Sequence, residues 1–496
     1  MSSSSSTASA EAPPAAAQPW PALRASGVWD LLSSRGRSAV LGDGIRAWVE
    51  RARGADVDAT IGVLAGSRLE LARAHGAPTV EAGLTAGGTA GAGAGAAAPV
   101  GPEAGPASVI WWLTAVREHL PRLEPPEVFP YAPVPGLRPF RQAWRGWMLR
   151  KAARVDDPDR IRRLTTTPIA TPGVSGALFT AGHLLLDPGE TLVVADKRWD
   201  GYDTTFDVVL GARLVAHRLF TTSGRLDLDD LEGRLTETAA RQAKATVVLN
   251  FPNNPTGYVP SAREASELRE RIRGVAERTG RPVVVLFDDA YEGFVYDDSY
   301  PVSLFYSFLG LHPLVHALKC DGITKELLFW GGRLGTLTLG LTEECAGSEW
   351  RGALEAEWEN KCSAVLRAIV SSASTPVQAL VTHVLEERLE DALAERERMV
   401  RLVRARCEAL RDLLDRPAAR EAFRADPFNG GLFAFLNLRR GSASEVALRA
   451  LREHRVGVVP MEIPEDGINA LRVTFGSVPA ERLERMVDAL VASAAS

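Results

Sequence analysis

At 496 residues the chain is longer than the roughly 250–300 residues at which a single hydrophobic core stops growing, so at least two domains are expected. A hydrophobic content of 46%, a charged content of 24% and a net charge of -5 describe an ordinary globular chain with no basic excess, which argues against nucleic acid and anionic bilayers as partners. Cys320, Cys345, Cys362 and Cys407 stand far apart, without the paired spacing of a zinc or redox motif; they read as buried thiols of a reducing compartment, and no metal is expected.

In chain order, residues 1–40 open with a Ser/Ala/Pro-rich run and read as a disordered arm. The arm lacks the basic-then-apolar pattern of a secretory signal, and no later segment is long and apolar enough to span a bilayer, so a cytoplasmic location is expected. Residues 41–125 are assigned to the first part of a small domain, interrupted by a Gly/Ala-rich insertion at 82–107 that reads as a flexible surface loop. From 126 to 372 apolar strands alternate with amphipathic helices, the pattern of a large α/β domain whose mostly parallel sheet is covered on both faces. Strands are predicted at Thr191–Ala195, Ala245–Asn250, Pro282–Asp288 and Arg333–Leu341. Helices are predicted at Ser175–Leu186, before Asp187-Pro188-Gly189, and at Ser261–Arg278 with Ser261 as N-cap. A long charged helix from Pro376 to about Leu414 leads into a C-terminal small domain over 373–496. No internal repeat is visible.

Ligands of open α/β sheets collect beyond the carboxyl ends of parallel strands, so the loops after each apolar run are informative. The run ATVVLN leads into FPNNPTGYVP, and RPVVVLF into DDAYEGF; both present polar side chains at such a position. In TPGVSGALFTAG, Gly173, Ser175 and Gly176 open a helix whose free N–H groups could hold a phosphate, although ordinary capping would look the same. The chain has only six lysines, and Lys325 lies between apolar runs in KCDGITKELLFWGGRLGTLTLG. A buried amine there would have a depressed pKa and act as a nucleophile; read alone, the residue could equally snorkel to solvent. Arg472 sits inside the apolar strand INALRVTFGSV, an expensive place for an unpaired guanidinium.

Four motifs occur in order: Asn254-Pro-Thr-Gly257, Asp288-x-Ala-Tyr291, a lysine some thirty-five residues on, and Gly331-Gly-Arg-Leu-Gly335. This set resembles the class I/II aminotransferases of fold type I, enzymes dependent on pyridoxal 5'-phosphate (PLP), over about residues 56–490 apart from the Gly/Ala tract. The resemblance implies a large domain built on a seven-stranded type of sheet, plus a smaller α+β domain from the N- and C-terminal segments. It implies that Lys325 carries the cofactor as a Schiff base and, once freed by an incoming amino acid, removes the Cα proton. Asp288 would face the pyridine nitrogen and keep the ring an electron sink, while Asn254 and Tyr291 would hydrogen-bond the ring oxygen. Trp199 would stack on the ring, and Ser175, the Gly176 amide and Arg333 would hold the phosphate. Tyr131 would reach the phosphate of a neighbouring subunit, which implies a homodimer with shared sites. Arg472 would grip the substrate α-carboxylate, and Gly62 would bring backbone close to the substrate.

Two departures from the family pattern stand out. Gly322 occupies the place where many relatives carry a phosphate-binding serine, so that contact falls to Thr324 or is missing. The alignment also puts Val370, with Arg367 the nearest cation, where the best-known aspartate aminotransferases hold an arginine for a distal carboxylate; that register favours apolar or aromatic amino acids over aspartate. The expected reaction moves an amino group between an L-amino acid, apolar, aromatic or aspartate-like, and a 2-oxo acid by ping-pong kinetics. Other chemistry of the same cofactor (lyase, decarboxylase or oxidase) is the alternative, although Arg472 favours transamination by holding the carboxylate near the ring plane. A transcription regulator built on such a domain is a remote alternative: up to Glu81 the chain has eight basic and eight acidic residues, which is no basic footprint.

Overall fold

The computed structural model describes residues 45–76 and 109–495, together with the single positions 32 and 37. Apart from those two positions, the expected disordered arm lies outside the described residues, as does the Gly/Ala tract at 82–107. Seven strands form one sheet: β1 (Ile169–Thr171), β2 (Thr191–Ala195), β3 (Arg213–His217), β4 (Ala245–Asn250), β5 (Val283–Asp288), β6 (Val315–Gly322) and β7 (Gly335–Leu339). Their spatial order is β1-β7-β6-β5-β4-β2-β3, parallel except for β7, which runs antiparallel to both of its neighbours. Every residue of β4 and β5 is buried, and their unbroken apolar runs fit central strands covered on both faces. β3 lies at the edge and begins with the exposed Arg213.

Helices cover the sheet. α1 (Arg138–Ala152) turns Phe140, Trp144 and Met148 inward, and α2 (Gly173–Leu185) packs on β6 and β7. α3 (Ala262–Thr279) starts at Ser261, whose side chain accepts from the Glu264 amide while Glu264 reaches back to the Ser261 amide; Gly280 closes it in the left-handed conformation. The short α4 (Ile323–Glu326) follows β6 at once.

The single long helix expected beyond Pro376 is two: α5 (Thr375–Glu387) and α6 (Leu389–Leu414), broken at Arg388. No proline or glycine marks the break; Arg388 leaves helical geometry with its guanidinium bonded to Asp391 and Glu118. The strand expected from Arg333 starts only at Gly335, because Arg333 is left-handed (φ 48°) and cannot join the ladder.

A second sheet has four strands, β8 (Phe423–Ala425), β9 (Phe433–Leu438), β10 (Val459–Ile463) and β11 (Ile468–Thr474), in the antiparallel order β8-β9-β11-β10. The N-terminal segment joins this region, since Val57–Asp58 pairs in parallel with Val456–Gly457. Arg406 of α6, 1% exposed, donates to the carbonyls of Ala65 and Gly476, at 2.7 Å each, and to Glu70. One buried guanidinium thereby satisfies backbone groups from both ends of the chain.

Candidate active site

The carboxyl ends of β1, β2, β4, β5 and β6 point the same way, and antiparallel β7 brings its beginning to that edge. A cavity of about 150 Å³ opens there, lined by Ser175 and Val174 of α2, Trp199 after β2, Asn250 and Asn254 at and beyond β4, Asp288, Ala290 and Tyr291 at and after β5, Thr324 and Lys325 of α4, and Arg333 before β7. Residues up to 159 positions apart in the chain therefore share one hollow only because each lies near a strand end at the same edge of the sheet.

Asp288 ends β5 and is buried; its Oδ2 accepts from the Tyr202 hydroxyl at 2.6 Å and its Oδ1 from the Ala290 amide at 3.1 Å. Burial raises its pKa, a rise opposed by these bonds and by the charges of Lys325 and Lys319. Desolvation beside this carboxylate holds the Tyr202 phenol protonated, as a donor. The Lys325 amine sits over the Tyr291 ring, 4.7 Å from its centre, with no hydrogen-bond or ion-pair partner among the described residues. Burial pulls its pKa from 10.5 down to about 8, with Asp288 opposing the fall and Arg333 adding to it.

Asn250 Nδ2 donates to the Asp288 carbonyl and Asn250 Oδ1 accepts from the Asn254 amide, so one side chain joins the two loops. Asn254 Oδ1 accepts from Arg472 Nη1 at 3.2 Å, and Arg472 Nη2 donates to the Thr60 carbonyl at 2.7 Å. The Arg472 guanidinium is buried, lies 4.6 Å over the Phe433 ring, and leaves Nε without a partner. No carboxylate among the described residues forms an ion pair with it, and desolvation lowers its pKa to about 10. A buried guanidinium with an orphaned N–H and no ion-paired carboxylate could receive an incoming carboxylate.

Gly173 is left-handed (φ 73°), and a Cβ there would lie 2.8 Å from Arg333 Nη2, so the first turn of α2 and the Arg333 fork meet only over a glycine. Free amides at the start of a thirteen-residue helix beside a guanidinium form a cradle for a phosphate. Gly176 is buried in that turn, with Pro172 against it. At Gly322 an added Cβ would stand 2.7 Å from the Gly335 Cα and the Leu334 carbonyl, which leaves no room for a serine; Thr324, whose side chain is available, lines the cavity. The set of an unpaired amine, a carboxylate facing the cavity, an aromatic wall and an anion cradle fits PLP, whose aldehyde, ring nitrogen and phosphate each have a counterpart.

Lys325, Asp288, Tyr291, Asn254, Trp199, Ser175 and Arg333 are brought together directly. Arg472 joins through Asn254, and Gly62 stands beside them: its carbonyl accepts from Trp330 Nε1, and a Cβ there would meet Phe433 at 2.5 Å and the Tyr291 hydroxyl at 3.2 Å. Tyr131 is 93% exposed and outside this cavity. Val370 and Arg367 are exposed at the end of a helix and outside it as well. Reasoning from the sequence missed Asn250 and Tyr202. Asn250 could have been found as the polar last residue of an apolar strand, whereas Tyr202 carried no signal beyond lying three residues after Trp199.

The sequence profile of the family described as aminotransferase class I and II matches residues 107–490. An LL-diaminopimelate aminotransferase of Gloeobacter violaceus is 30% identical over 183 residues, 37% of this chain and 42% of the relative. An aspartate aminotransferase of Thermotoga maritima is 30% identical over 169 residues, 34% of this chain and 41% of that protein, so the chain matches less than half the length of each. Among solved structures, an aminotransferase of Anaerococcus prevotii superposes with TM-score 0.72 at 18% identity, covering 93% of this chain and 98% of that one. A kynurenine aminotransferase of Pyrococcus horikoshii does so with TM-score 0.69 at 15% identity, covering 95% and 98%. With the seven-stranded sheet and this span of family match, the chain has the fold of the type I PLP-dependent transferases and belongs to the class I and II aminotransferases.

Proposed function

We propose that the protein is a PLP-dependent aminotransferase that moves an amino group between an L-amino acid and a 2-oxo acid, with Lys325 as the cofactor-bearing lysine. The single observation that carries this reading is a buried, unpaired amine facing the same cavity as a buried carboxylate, with an arginine that has no counter-ion alongside. Bound PLP supplies a ring that withdraws electrons from the substrate Cα. Ser175, the first amides of α2 and Arg333 would hold its phosphate, and Asp288, kept in line by Tyr202 and the Ala290 amide, would place negative charge opposite the ring nitrogen. Trp199 would cover one face of the ring, and Tyr291 and Asn254 would donate to its oxygen. Arg472 holds the substrate carboxylate, which orients the Cα–H bond toward Lys325. The Lys325 amine, neutral above about pH 8, would take that proton on Nζ and pass it to the former aldehyde carbon of the cofactor.

Among the described lining residues no cation stands beyond Lys325 and Arg333, which supports an apolar or aromatic substrate side chain. Relatives named for aspartate, LL-diaminopimelate and tyrosine leave an aspartate-like donor within the proposal. The proposal extends to a cytoplasmic homodimer whose Tyr131 serves the partner's site, and to the division into a large domain at 126–372 and a small domain from 41–125 and 373–496. No helix among the described residues is long and apolar enough to cross a membrane.

The test is a panel of amino donors against 2-oxoglutarate, with each donor also incubated alone. Stoichiometric conversion of the bound cofactor to pyridoxamine phosphate, and borohydride trapping of PLP at Lys325, are expected. Continuous turnover without an acceptor would replace transamination by lyase, decarboxylase or oxidase chemistry.

A further inference from the structure

Three pairs of consecutive residues divide in the same way. Asp288, Tyr291 and Lys325 line the cavity, whereas their successors Asp289, Glu292 and Glu326 are buried on the other side. There they meet two lysines that the proposed chemistry does not use. Lys319 of β6, wholly buried, lies 2.5 Å from Asp289 Oδ2 and 2.8 Å from Glu292 Oε2. Lys151, at the end of α1, lies 2.5 Å from Glu292 Oε2 and 2.8 Å from Glu326 Oε2. Glu292 is thus shared by both ammonium groups.

Hydrogen bonds tie the cluster to its surroundings, although Asp321 Oδ2 and the Tyr306 hydroxyl are buried without a hydrogen-bond partner. Ser303 Oγ donates to Asp289 at 2.6 Å, Trp147 Nε1 to Glu326 at 2.7 Å, and Trp144 Nε1 and Thr336 Oγ1 to Asp321. Asp321 also stands 3.5 Å from Lys319, Tyr306 places its ring 5.5 Å from the same ammonium, and Arg396 donates to the Glu292 carbonyl at 3.1 Å. Glu292, Asp321 and Glu326 converge as metal ligands would, but Lys151 is within 4.0 Å of all three carboxylates and already supplies the cation.

We propose that this buried cluster is a positioning device for the active site: it fixes the backbone of Lys325 against that of Asp288 and Tyr291, and so sets the amine-to-carboxylate geometry on which proton transfer depends. The inference rests on the function proposed above. The physical case is that a salt-bridged cluster costs desolvation and contributes little net stability, so its value lies in permitting one arrangement only. An error of about 1 Å at a reacting group costs on the order of a hundredfold in rate, and here the reacting residues are each one peptide bond from a clamped neighbour. Burial pushes Asp289 up to about 7 and raises Glu326, while the two lysines hold Glu292 down at about 2 against its own desolvation.

The test uses Glu326→Gln, which keeps the shape of the side chain and an acceptor for Trp147, and Trp147→Phe, which removes one donor and no charge. Two quantities are measured for each against the parent: the pH midpoint for capture of PLP by apoprotein, which reads Lys325 directly, and kcat and KM of the holoenzyme. Expected is a midpoint moved by at least about half a pH unit in Glu326→Gln, a smaller shift of the same sign in Trp147→Phe, and a kcat lowered about tenfold in Glu326→Gln with KM little changed. Unchanged midpoint and kcat in both variants, with or without a lower melting temperature, overturn the inference and leave only a structural role. Borohydride trapping of PLP at Lys325 in the parent decides the underlying function independently, so failure of one is distinguishable from failure of the other.

Discussion

In the role proposed for it, Lys325 would owe its reactivity to burial rather than to a hydrogen-bonded partner. A lysine in water is protonated to beyond pH 10 and a poor nucleophile toward an aldehyde; burial against the Tyr291 ring costs the charged form its hydration. Asp288 and Arg333 pull in opposite directions on the remaining shift, and desolvation wins. The sign follows directly. Because the pKa in the folded protein, about 8, lies below the unfolded value of 10.5, the neutral amine gains as pH rises through 8, and the unfolded chain binds the extra proton between 8 and 10.5. Stopped-flow absorbance of apoprotein mixed with PLP is expected to give a capture rate that climbs with a midpoint near pH 8 and is flat by pH 10. A midpoint above pH 10 would mean that the amine is hydrated and the cavity geometry is not that of the protein in solution.

At the scale of elements, the site is an agreement between strand ends and the glycines that let them meet. β6 passes so close to the start of β7 that position 322 has space for hydrogen alone. Gly322→Ser, which would restore the phosphate-binding serine of many relatives, is expected instead to push the Gly335 backbone away and to lower stability by about 1–3 kcal/mol, read as a drop in melting temperature. It should also weaken PLP binding, because Arg333 and Gly335 belong to the same turn; a stabilised protein with tighter PLP would show that the β6–β7 contact is loose. This element explains why some of the site was legible in the sequence and some was not. Asp288 was readable because it ends an apolar run, where the sheet brings a polar residue to the ligand edge, and Asn254 because it lies in the polar loop four residues beyond another such run. The break at Arg388 was not, since helix propensity runs unbroken across it and tertiary ion pairs decide the geometry.

For the whole molecule, the central strands were the legible part, and the pieces with non-local partners were not. β4 and β5 announce themselves by continuous Val and Leu, whereas β1, of three residues, exists only because β7 lies beside it. The same limit applies to Tyr131, whose role depends on chain contacts that one sequence does not contain. Phe129 and Tyr131 expose 84% and 93% of their surface, and Ile369 and Val370 44% and 40%. The two segments are tied by the Ala132 amide donating to Thr375 Oγ1 at 2.9 Å, so apolar side chains are presented to water on neighbouring stretches of one chain. Large exposed apolar groups so placed are a cost to a monomer and a contact for a second copy. If each site takes Lys325 from one subunit and Tyr131 from the other, Lys325→Ala and Tyr131→Ala are each nearly inactive alone. A hybrid dimer of the two carries both defects in one site and neither in the other. Equal amounts unfolded and refolded together are then expected to recover about one quarter of parental activity, since half of the dimers are hybrids with one intact site apiece. No recovery, with hybrids verified by differential tagging, would place Tyr131 in its own subunit's site or in none.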